Sequence, residues 1–428
     1  MKHRLYGSAA IGLVAMLALS GCAEKTASTD DASGAPTAGS NAVLAVSSTD
    51  DACTVAADTT VSGASTFSIT NEGTQTTEFY LLAPDGLRVV AEKENITPGS
   101  TSELTVTLQP GDYFTACKPG MRGENVGETA FTVTGDAVEL SDDEQALYDQ
   151  VVTDYVNFVK NEVEQLQPKV DEFAQAYMDG DDDKARELFP NIRVHYERIE
   201  PITEALGVLD PRIDYREVDY LAEADLLKED DATFTQWLGF HRIEKDLWPP
   251  EEGTIQPDRT DALAGWSPSS AEERQVIGQT LKDDVQVLYD TVHADDFIET
   301  QQIDIATVSN GASGLLEEIA SSKVTGEEDW WSHTDLWDFQ GNLEGARIAF
   351  DLVKPIAEAK SDEGAELVKE IDEEFDKLQA LLDQYGNLTD GYVFYDTVTS
   401  DQQKELVDQI NATREPLSKL TGTVLGIE

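Results

Sequence analysis

A histidine and a glutamate stand three residues apart in the segment 239–244, which reads GFHRIE. On an α-helix this spacing places His241 and Glu244 on one face, where both side chains reach the same ion. Imidazole and carboxylate together suit iron and related metals. The same spacing also occurs on many solvated acidic faces, so this pair alone leaves a purely structural role open.

A second segment, 195–200 (HYERIE), offers a comparable helical face with two carboxylates, Glu197 and Glu200. Two such pairs on facing helices of a bundle are the arrangement that holds iron in carboxylate-bridged proteins. The two segments therefore predict a metal site between helices. A metalloprotease of the HExxH type would need a second histidine, and a glutamate where Arg242 stands, which weighs against catalysis.

Two cysteines, Cys53 and Cys117, lie beyond the N-terminal region. In an exported protein they are expected to form a disulfide. The alternative makes Cys117, or Cys53, a metal ligand beside the carboxylates of Glu78, Glu92 and Glu94, as a second site. The sequence does not decide between the disulfide and the metal site.

The chain has only five histidines, and none of them lies between residues 43 and 135. A blue-copper site needs two imidazoles and a thiolate. An ordinary electron-transfer copper site is therefore excluded from this part of the chain.

The 428 residues include 30 basic and 84 acidic side chains, which gives a net charge of −54. This balance excludes nucleic-acid binding and adsorption to anionic lipid through a polybasic surface. Hydrophobic residues make up 40% of the chain, so it can bury ordinary cores. An acidic surface attracts cations, and weak, non-specific cation binding by a polyanionic surface is one interpretation of the chain.

The N-terminus has the pattern of an export signal. A short basic start precedes an apolar stretch, 9–19, that is too short to span a bilayer. Cys22 follows two small residues directly behind it, as in a bacterial lipobox, which predicts cleavage after residue 21 and lipidation of Cys22. Residues 22–42 are expected to form a flexible tether. The chain is thus predicted to be exported and anchored by lipid, on the outer face of the cytoplasmic membrane or the periplasmic side of a membrane.

The elements that must position these residues change type once along the chain. Short runs of alternating polar and apolar residues, separated by turn sequences, fill residues 43–137 and predict a β-sandwich. From Ser141 onward, apolar residues recur every three or four positions, which is typical of long packed helices. The fold class is therefore multidomain, with an N-terminal β-sandwich and an all-α helical-bundle domain over residues 141–428.

Several segments then resemble one known family. The motif at 239–244 resembles the GxHxxE motif of the imelysin-like family, and segments 195–201, 209–214 and 326–339 are similar to its iron-uptake members. Segments 92–99 and 108–113 resemble the cupredoxin-like domain that precedes the helical domain in those members. The resemblance covers residues 43–428.

The resemblance implies a main metal site with six ligands, all but one of them acidic: Glu197, Glu200, Asp214, His241, Glu244 and Glu317. For the last of these, Glu318 is the alternative. The implied function is capture of iron, as Fe3+ or Fe2+, with copper or zinc as competitors, and delivery to a membrane iron permease that works with a secreted haem peroxidase. The alternative function is a metallopeptidase of the imelysin type.

Overall fold

The computed structural model describes residues 43–426, apart from 85, 87–88, 122–124, 137–140, 231–233 and 322. The predicted signal, the lipidation site at Cys22 and the tether lie outside the described residues. Within them, none of the helices is both long enough and apolar enough to cross a membrane.

The N-terminal part is a sandwich of two β-sheets. Its strands are β1 (Val43–Ser48), β2 (Cys53–Val55), β3 (Thr59–Val61), β4 (Gly63–Asn71), β5 (Thr77–Leu82), β6 (Val89–Ile96), β7 (Thr101–Leu108), β8 (Gly111–Pro119) and β9 (Val126–Thr134). One sheet has the order β2-β1-β4-β7 and the other β3-β9-β8-β5-β6. Alternate residues of each strand point inward, so that Phe67, Phe79 and Phe131 pack together between the sheets.

A disulfide joins Cys53 on β2 to Cys117 on β8, with 5.4 Å between their Cα atoms. Because β2 and β8 belong to different sheets, the bond ties the two layers of the sandwich together. Both cysteines are buried in the core between the sheets.

The rest of the described chain is almost entirely helical. Its helices are α1 (Asp142–Asp179), α2 (Asp182–Glu197), α3 (Glu200–Thr203), α4 (Leu209–Asp214), α5 (Glu217–Asp230), α6 (Phe240–Leu247), α7 (Ala271–Val292), α8 (Phe297–Thr300), α9 (Ile305–Ser321), α10 (Asp335–Lys360), α11 (Asp362–Leu382), α12 (Ser400–Leu417) and α13 (Leu420–Leu425). Short 3₁₀ segments lie at Glu204–Leu206, Lys323–Thr325 and Tyr395–Thr397, and strands β10 (Gly386–Asn387) and β11 (Gly391–Tyr392) form a small hairpin.

The first helix begins and ends as the sequence pattern requires. The Ser141 side chain accepts a hydrogen bond from the Glu144 amide and caps the N-terminus of α1. Gly180 ends the helix in the left-handed conformation, at φ 77°, and Asp181 then caps α2. The acidic segment 179–183 therefore contains the tight turn, at Gly180 and Asp181, between two helices that pack on each other.

Helix α10 lies at the centre of the bundle and packs against α2, α9 and α11. Gly341 allows it to approach α2 closely, because a Cβ atom there would lie 2.7 Å from the Glu197 Cβ and 3.1 Å from the Val194 carbonyl oxygen. The C-terminal end of α2, which carries Glu197, is therefore pressed into the middle of the domain.

The sandwich contacts the helical domain through strands of both of its sheets. Lys93 on β6 pairs with Glu317 on α9, and Lys118 on β8 pairs with Glu223 on α5 at 3.1 Å. The Asn310 amide of α9 donates to a backbone carbonyl of β7 at 3.0 Å. These polar contacts join β6 and β7 to α9, and β8 to α5.

Candidate metal centre

Gly239 sets the position of the histidine in the GFHRIE segment. Its φ is +87°, and a Cβ atom on it would lie 2.2 Å from the carbonyl oxygen of Ile213. Only glycine fits so close to another backbone in that conformation. Helix α6 therefore begins directly against the end of α4, and the His241 Nε2 atom comes to lie 3.4 Å from the Asp214 carboxylate.

His241 and Glu244 face each other on α6, as their spacing predicts. His241 Nδ1 lies 3.0 Å from Glu244 Oε2, and both side chains are buried. The other Glu244 oxygen accepts hydrogen bonds from the Trp331 amide at 3.0 Å, the Ser332 amide at 2.8 Å and the Ser332 hydroxyl at 2.9 Å. Glu244 is therefore fixed in place by the loop that precedes α10.

The same loop brings two acids that the sequence analysis did not include among the ligands. Glu328 Oε1 lies 3.4 Å from His241 Nε2, and Asp329 Oδ1 lies 3.9 Å from His241 Nδ1. The consecutive acids at 327–329, directly before a polar and aromatic run, were the available signal. Their distance along the chain from α6 is the reason that helical spacing alone missed them.

Three buried groups of donors have all their ligand atoms within 4.8 Å of one another. They are Asp214 with His241 and Glu328, His241 with Glu244 and Asp329, and Glu197 with Glu200 and Asp214. His241 Nε2 is buried and lacks a hydrogen bond of good geometry to any described residue. A buried nitrogen that makes only long contacts, to Asp214 and Glu328 at 3.4 Å, is suited to a ligand bond. Carboxylate oxygens with one imidazole match the preferences of iron.

The arginine of α2 occupies the middle of these acids. Arg193 is completely buried, and its guanidinium contacts five carboxylates. Those of Glu328, Asp329 and Asp338 lie at 3.1, 3.4 and 3.3 Å, and those of Glu197 and Asp214 are also hydrogen-bonded to it. A planar cation with five donors can hold several carboxylates in fixed orientations. Arg193 therefore organises the acids in the metal-free protein.

The electrostatic balance of this cluster is strongly negative. Burial and Arg193 disfavour the protonated form of His241, but the carboxylates of Glu244, Glu328 and Asp214 outweigh them and raise the pKa of His241 to about 10. Burial, together with repulsion from nearby carboxylates, also raises the pKa of neighbouring acids.

For Glu197, burial and the adjacent Glu200 raise the pKa to about 8. For Asp329, burial and the adjacent Glu244 raise the pKa to about 7. Acids with raised pKa values and an imidazole that keeps its proton both indicate a pocket in which negative charge exceeds positive charge. A bound cation would reduce that excess.

A narrow crevice reaches this cluster from outside. His241, Glu244 and Glu328 line its inner end, and the partly exposed Pro257 and Trp330 line its outer end. Its volume of about 10 Å³ is close to that of a single water position.

Glu317, which the sequence analysis preferred as the sixth ligand, lies elsewhere. Its carboxylate pairs with Lys93 of the sandwich and with Arg414 of α12. Its neighbour Glu318 instead faces the cluster, where it lies 3.0 Å from the Lys323 ammonium. Successive residues of a helix point about 100° apart, so a choice between adjacent acids depends on packing that the sequence does not show.

The second site expected in the sandwich is not assembled as predicted. Cys117 is in the disulfide and points into the sandwich core, paired in register with Phe79. Glu78 lies on the opposite face of the same sheet, where the Tyr80 hydroxyl donates to it. Because side chains alternate between faces of a strand, Cys117 cannot join Glu78, Glu92 and Glu94 around one ion.

His195, in the HYERIE segment, faces away from the cluster. Its Nδ1 atom lies 2.7 Å from the Glu162 carboxylate of α1. Glu197 and Glu200 of the same segment do belong to the cluster. The segment therefore contributes its acids to the candidate centre and uses its histidine to join two helices.

Comparison with known proteins identifies the family. The family model described as Imelysin matches residues 151–420, and the one described as Cupredoxin-like domain matches residues 9–127. Proteins named iron uptake system component EfeO, from Escherichia coli strain K12, Escherichia coli O157:H7 and Shigella flexneri, are each 34% identical to this chain over 385 residues. That alignment covers 90% of this chain and 91% of each relative.

The chain belongs to the EfeO family. The predicted architecture, a cupredoxin-like sandwich followed by an imelysin-like helical domain, is confirmed by both family matches and by the order of strands and helices. The EfeO relatives are named as parts of an iron uptake system, which agrees with the predicted general role in iron uptake.

Proposed function

We propose that this chain is the extracytoplasmic iron-binding component of an EfeO-type uptake system, and that it captures Fe3+ or Fe2+ at the centre around His241. The observation that carries the proposal is the buried His241, flanked by the four carboxylates of Asp214, Glu244, Glu328 and Asp329, in a chain of the EfeO family. Glu197 and Glu200 extend the same cluster.

The donor set supports a hard cation. Carboxylate oxygens predominate, and one imidazole adds a borderline ligand, a combination that suits iron. Copper and zinc bind tightly to most sites that contain nitrogen and oxygen donors, so they are expected to compete in vitro. Selection of iron over copper and zinc would then depend on which metal is available. It would also depend on the ligand geometry that Arg193 and the loop before α10 impose.

The test is calorimetry on the purified mature protein. Anaerobic Fe2+ and ferric citrate are titrated into the wild type, His241→Ala and Glu244→Ala. Both variants are expected to lose iron affinity by at least about tenfold, because even groups that only orient metal ligands contribute about 10- to 100-fold. His195→Ala is the matched control, since His195 is buried nearby but faces Glu162. Undiminished affinity in both site variants would overturn the proposal.

The predicted export signal and the lipobox-like position of Cys22 support a place outside the cytoplasm, with a lipid tether to a membrane. From there the chain would deliver iron to a membrane permease, in a system that also uses a secreted haem peroxidase. Replacement of Cys22 by Ser is expected to release the protein from the membrane fraction, while iron binding by the soluble form stays unchanged.

A metallopeptidase of the imelysin type is the second candidate, favoured by the match to the Imelysin model. Two observations weigh against it. Helix α6 carries one histidine, and one oxygen of Glu244 is already saturated by three hydrogen bonds. Metal-dependent cleavage of a peptide library that disappears in Glu244→Gln would instead establish the enzyme. Weak binding without defined stoichiometry, abolished by moderate salt, would indicate a polyanionic surface only.

A further inference from the structure

A lysine ammonium stands between the two acids of the HYERIE segment. Lys323 is completely buried, and its Nζ atom lies 2.6 Å from Glu197, 2.9 Å from Glu200 and 3.0 Å from Glu318. A fourth side chain, Asn342, places its carbonyl oxygen at 3.3 Å. Five oxygens from these four side chains, including both oxygens of Glu200, surround one positive charge, as they would surround a bound cation.

The same acids belong to a candidate metal group. Glu197 and Glu200, together with Asp214, offer ligand atoms within 4.8 Å of one another. Both oxygens of Glu200 and one oxygen of Glu197 accept hydrogen bonds from Lys323, so an ion bound by this pair would compete with the ammonium for the same carboxylates. An ammonium and a multivalent metal ion that contact the same carboxylates lie close together. In a buried site they repel each other strongly. Both cannot use the Glu197–Glu200 pair at once.

We propose that Lys323 is an exchangeable internal counter-ion, which fills the Glu197–Glu200 half of the centre when iron is absent and must leave it when iron binds there. This inference rests on the proposed function, and it adds a residue that sets the affinity of that site. The lysine lowers the affinity for the cargo ion, which favours release to the next component.

The structure offers the displaced ammonium a second position. The Glu318 side chain, on α9, is 19% exposed and lines a cavity of about 1310 Å³ between the sandwich and the helical domain. Glu94 and Glu317 line the same cavity. Lysine has a long flexible side chain, so its charge can move toward Glu318 and the cavity while it keeps a carboxylate partner.

Arg193 is the natural contrast, because it is also a buried cation beside Glu197. Its five carboxylate partners and its rigid planar guanidinium tie it to several elements at once. If the Arg193 side chain moved away, several acids would lose their common partner. Of these two cations, the lysine is therefore the one that can yield to a metal ion.

The decisive variant is Lys323→Met, which removes the charge and keeps most of the side-chain volume. Anaerobic Fe2+ is titrated by calorimetry, with the melting temperature measured with and without Fe2+. Because a neighbouring charge changes a buried ionic equilibrium by about 10- to 1000-fold, the variant is expected to bind Fe2+ at least about tenfold more tightly. The metal-free variant should melt at a lower temperature, and Fe2+ should raise its melting temperature more than that of the wild type.

Lys282→Met is the control, because it makes the same change in net charge on α7, where Lys282 pairs with Asp171. It is expected to bind Fe2+ with the wild-type affinity. If Lys323→Met does not fold, the double variant Lys323→Met/Glu318→Gln removes one charge of each sign and is expected to bind more tightly than Glu318→Gln alone.

Equal or weaker Fe2+ binding by a folded variant without Lys323 would overturn the inference and leave the lysine as a structural support of the site. Failure of the proposed function gives a different result. In that case wild-type binding is absent or survives His241→Ala, whatever Lys323→Met does. Wild-type binding that depends on His241 but is not improved without Lys323 refutes the lysine's role alone.

Discussion

Glu328 provides a sharp test of the candidate centre, because only the three-dimensional structure assigns it there. Its carboxylate lies 3.4 Å from His241 Nε2 and 3.1 Å from Arg193, and its side chain is buried. Burial opposes its ionisation, but Lys323, His241 and Arg216 outweigh burial and hold the pKa of Glu328 well below its usual range. Glu328→Gln therefore removes a full negative charge at neutral pH and keeps the shape of the side chain.

The expected loss of iron affinity follows from this position. Groups that only orient a metal ligand contribute about 10- to 100-fold to metal affinity, and a charged donor beside the imidazole should contribute at least as much. The metal-free variant is expected to lose part of its stability and still to fold. Hydrogen bonds to charged groups contribute about 1.5 to 3 kcal/mol, and Arg193 keeps four other carboxylates after the substitution.

The assay is an anaerobic Fe2+ titration of Glu328→Gln and of Glu327→Gln, which makes the same chemical change one residue earlier. Glu327 is partly exposed and belongs to none of the three compact donor groups. Its variant should stay within about threefold of the wild type, the scale of one partly solvated charge. Equal affinities for Glu328→Gln and the wild type, or a larger loss in Glu327→Gln, would refute the placement of Glu328 in the centre.

Two further predictions concern stability. Because the folded-state pKa of His241 is raised to about 10 and that of Glu197 to about 8, the folded, metal-free protein holds protons that the unfolded chain releases. Its melting temperature should therefore fall as pH rises from about 6.5 to 9, the range above the ordinary histidine value, and His241→Gln should reduce that fall. A melting temperature that rises over this range would contradict the charge balance described above. The double variant Cys53→Ala/Cys117→Ala removes the disulfide, whose two cysteines are separated by 64 positions in the sequence. By the chain-entropy account this lowers the free energy of unfolding by about 4 kcal/mol. Urea unfolding should show this loss with Fe2+ affinity unchanged, and a large drop in affinity would show that the sandwich controls the metal centre.

The sequence was informative where one local rule decides the structure. The spacing of His241 and Glu244 predicts a shared helical face, and the structure places the two side chains 3.0 Å apart. Alternating and helical periodicities predict the two-domain architecture, which the family matches confirm. Helix caps such as Ser141 are local in the same way, because a side chain bonds to a backbone amide three residues away.

Sequence reasoning failed where the outcome depends on tertiary packing. The choice between Glu317 and Glu318 depends on which side of α9 meets the sandwich. Glu328 enters the centre through a loop that is distant from α6 in sequence, and only the bonds of Glu244 to that loop bring it there. The role of buried cations was missed altogether, because Lys323 looks like an ordinary surface lysine until its helix is packed.

The buried acids also connect capture with release. The cluster must be neutralised in every state, since unpaired buried carboxylates are costly. In the metal-free protein the neutralising charges include Arg193, Arg216, Lys323 and the proton on His241, while burial and the adjacent carboxylates raise the pKa values of Glu197 and Glu200. An incoming ion replaces protons and displaces the ammonium, so its affinity is reduced by the free energy of those existing interactions. Binding and release in the proposed centre are then two directions of one exchange, in which acidification and the return of Lys323 both favour departure of the ion.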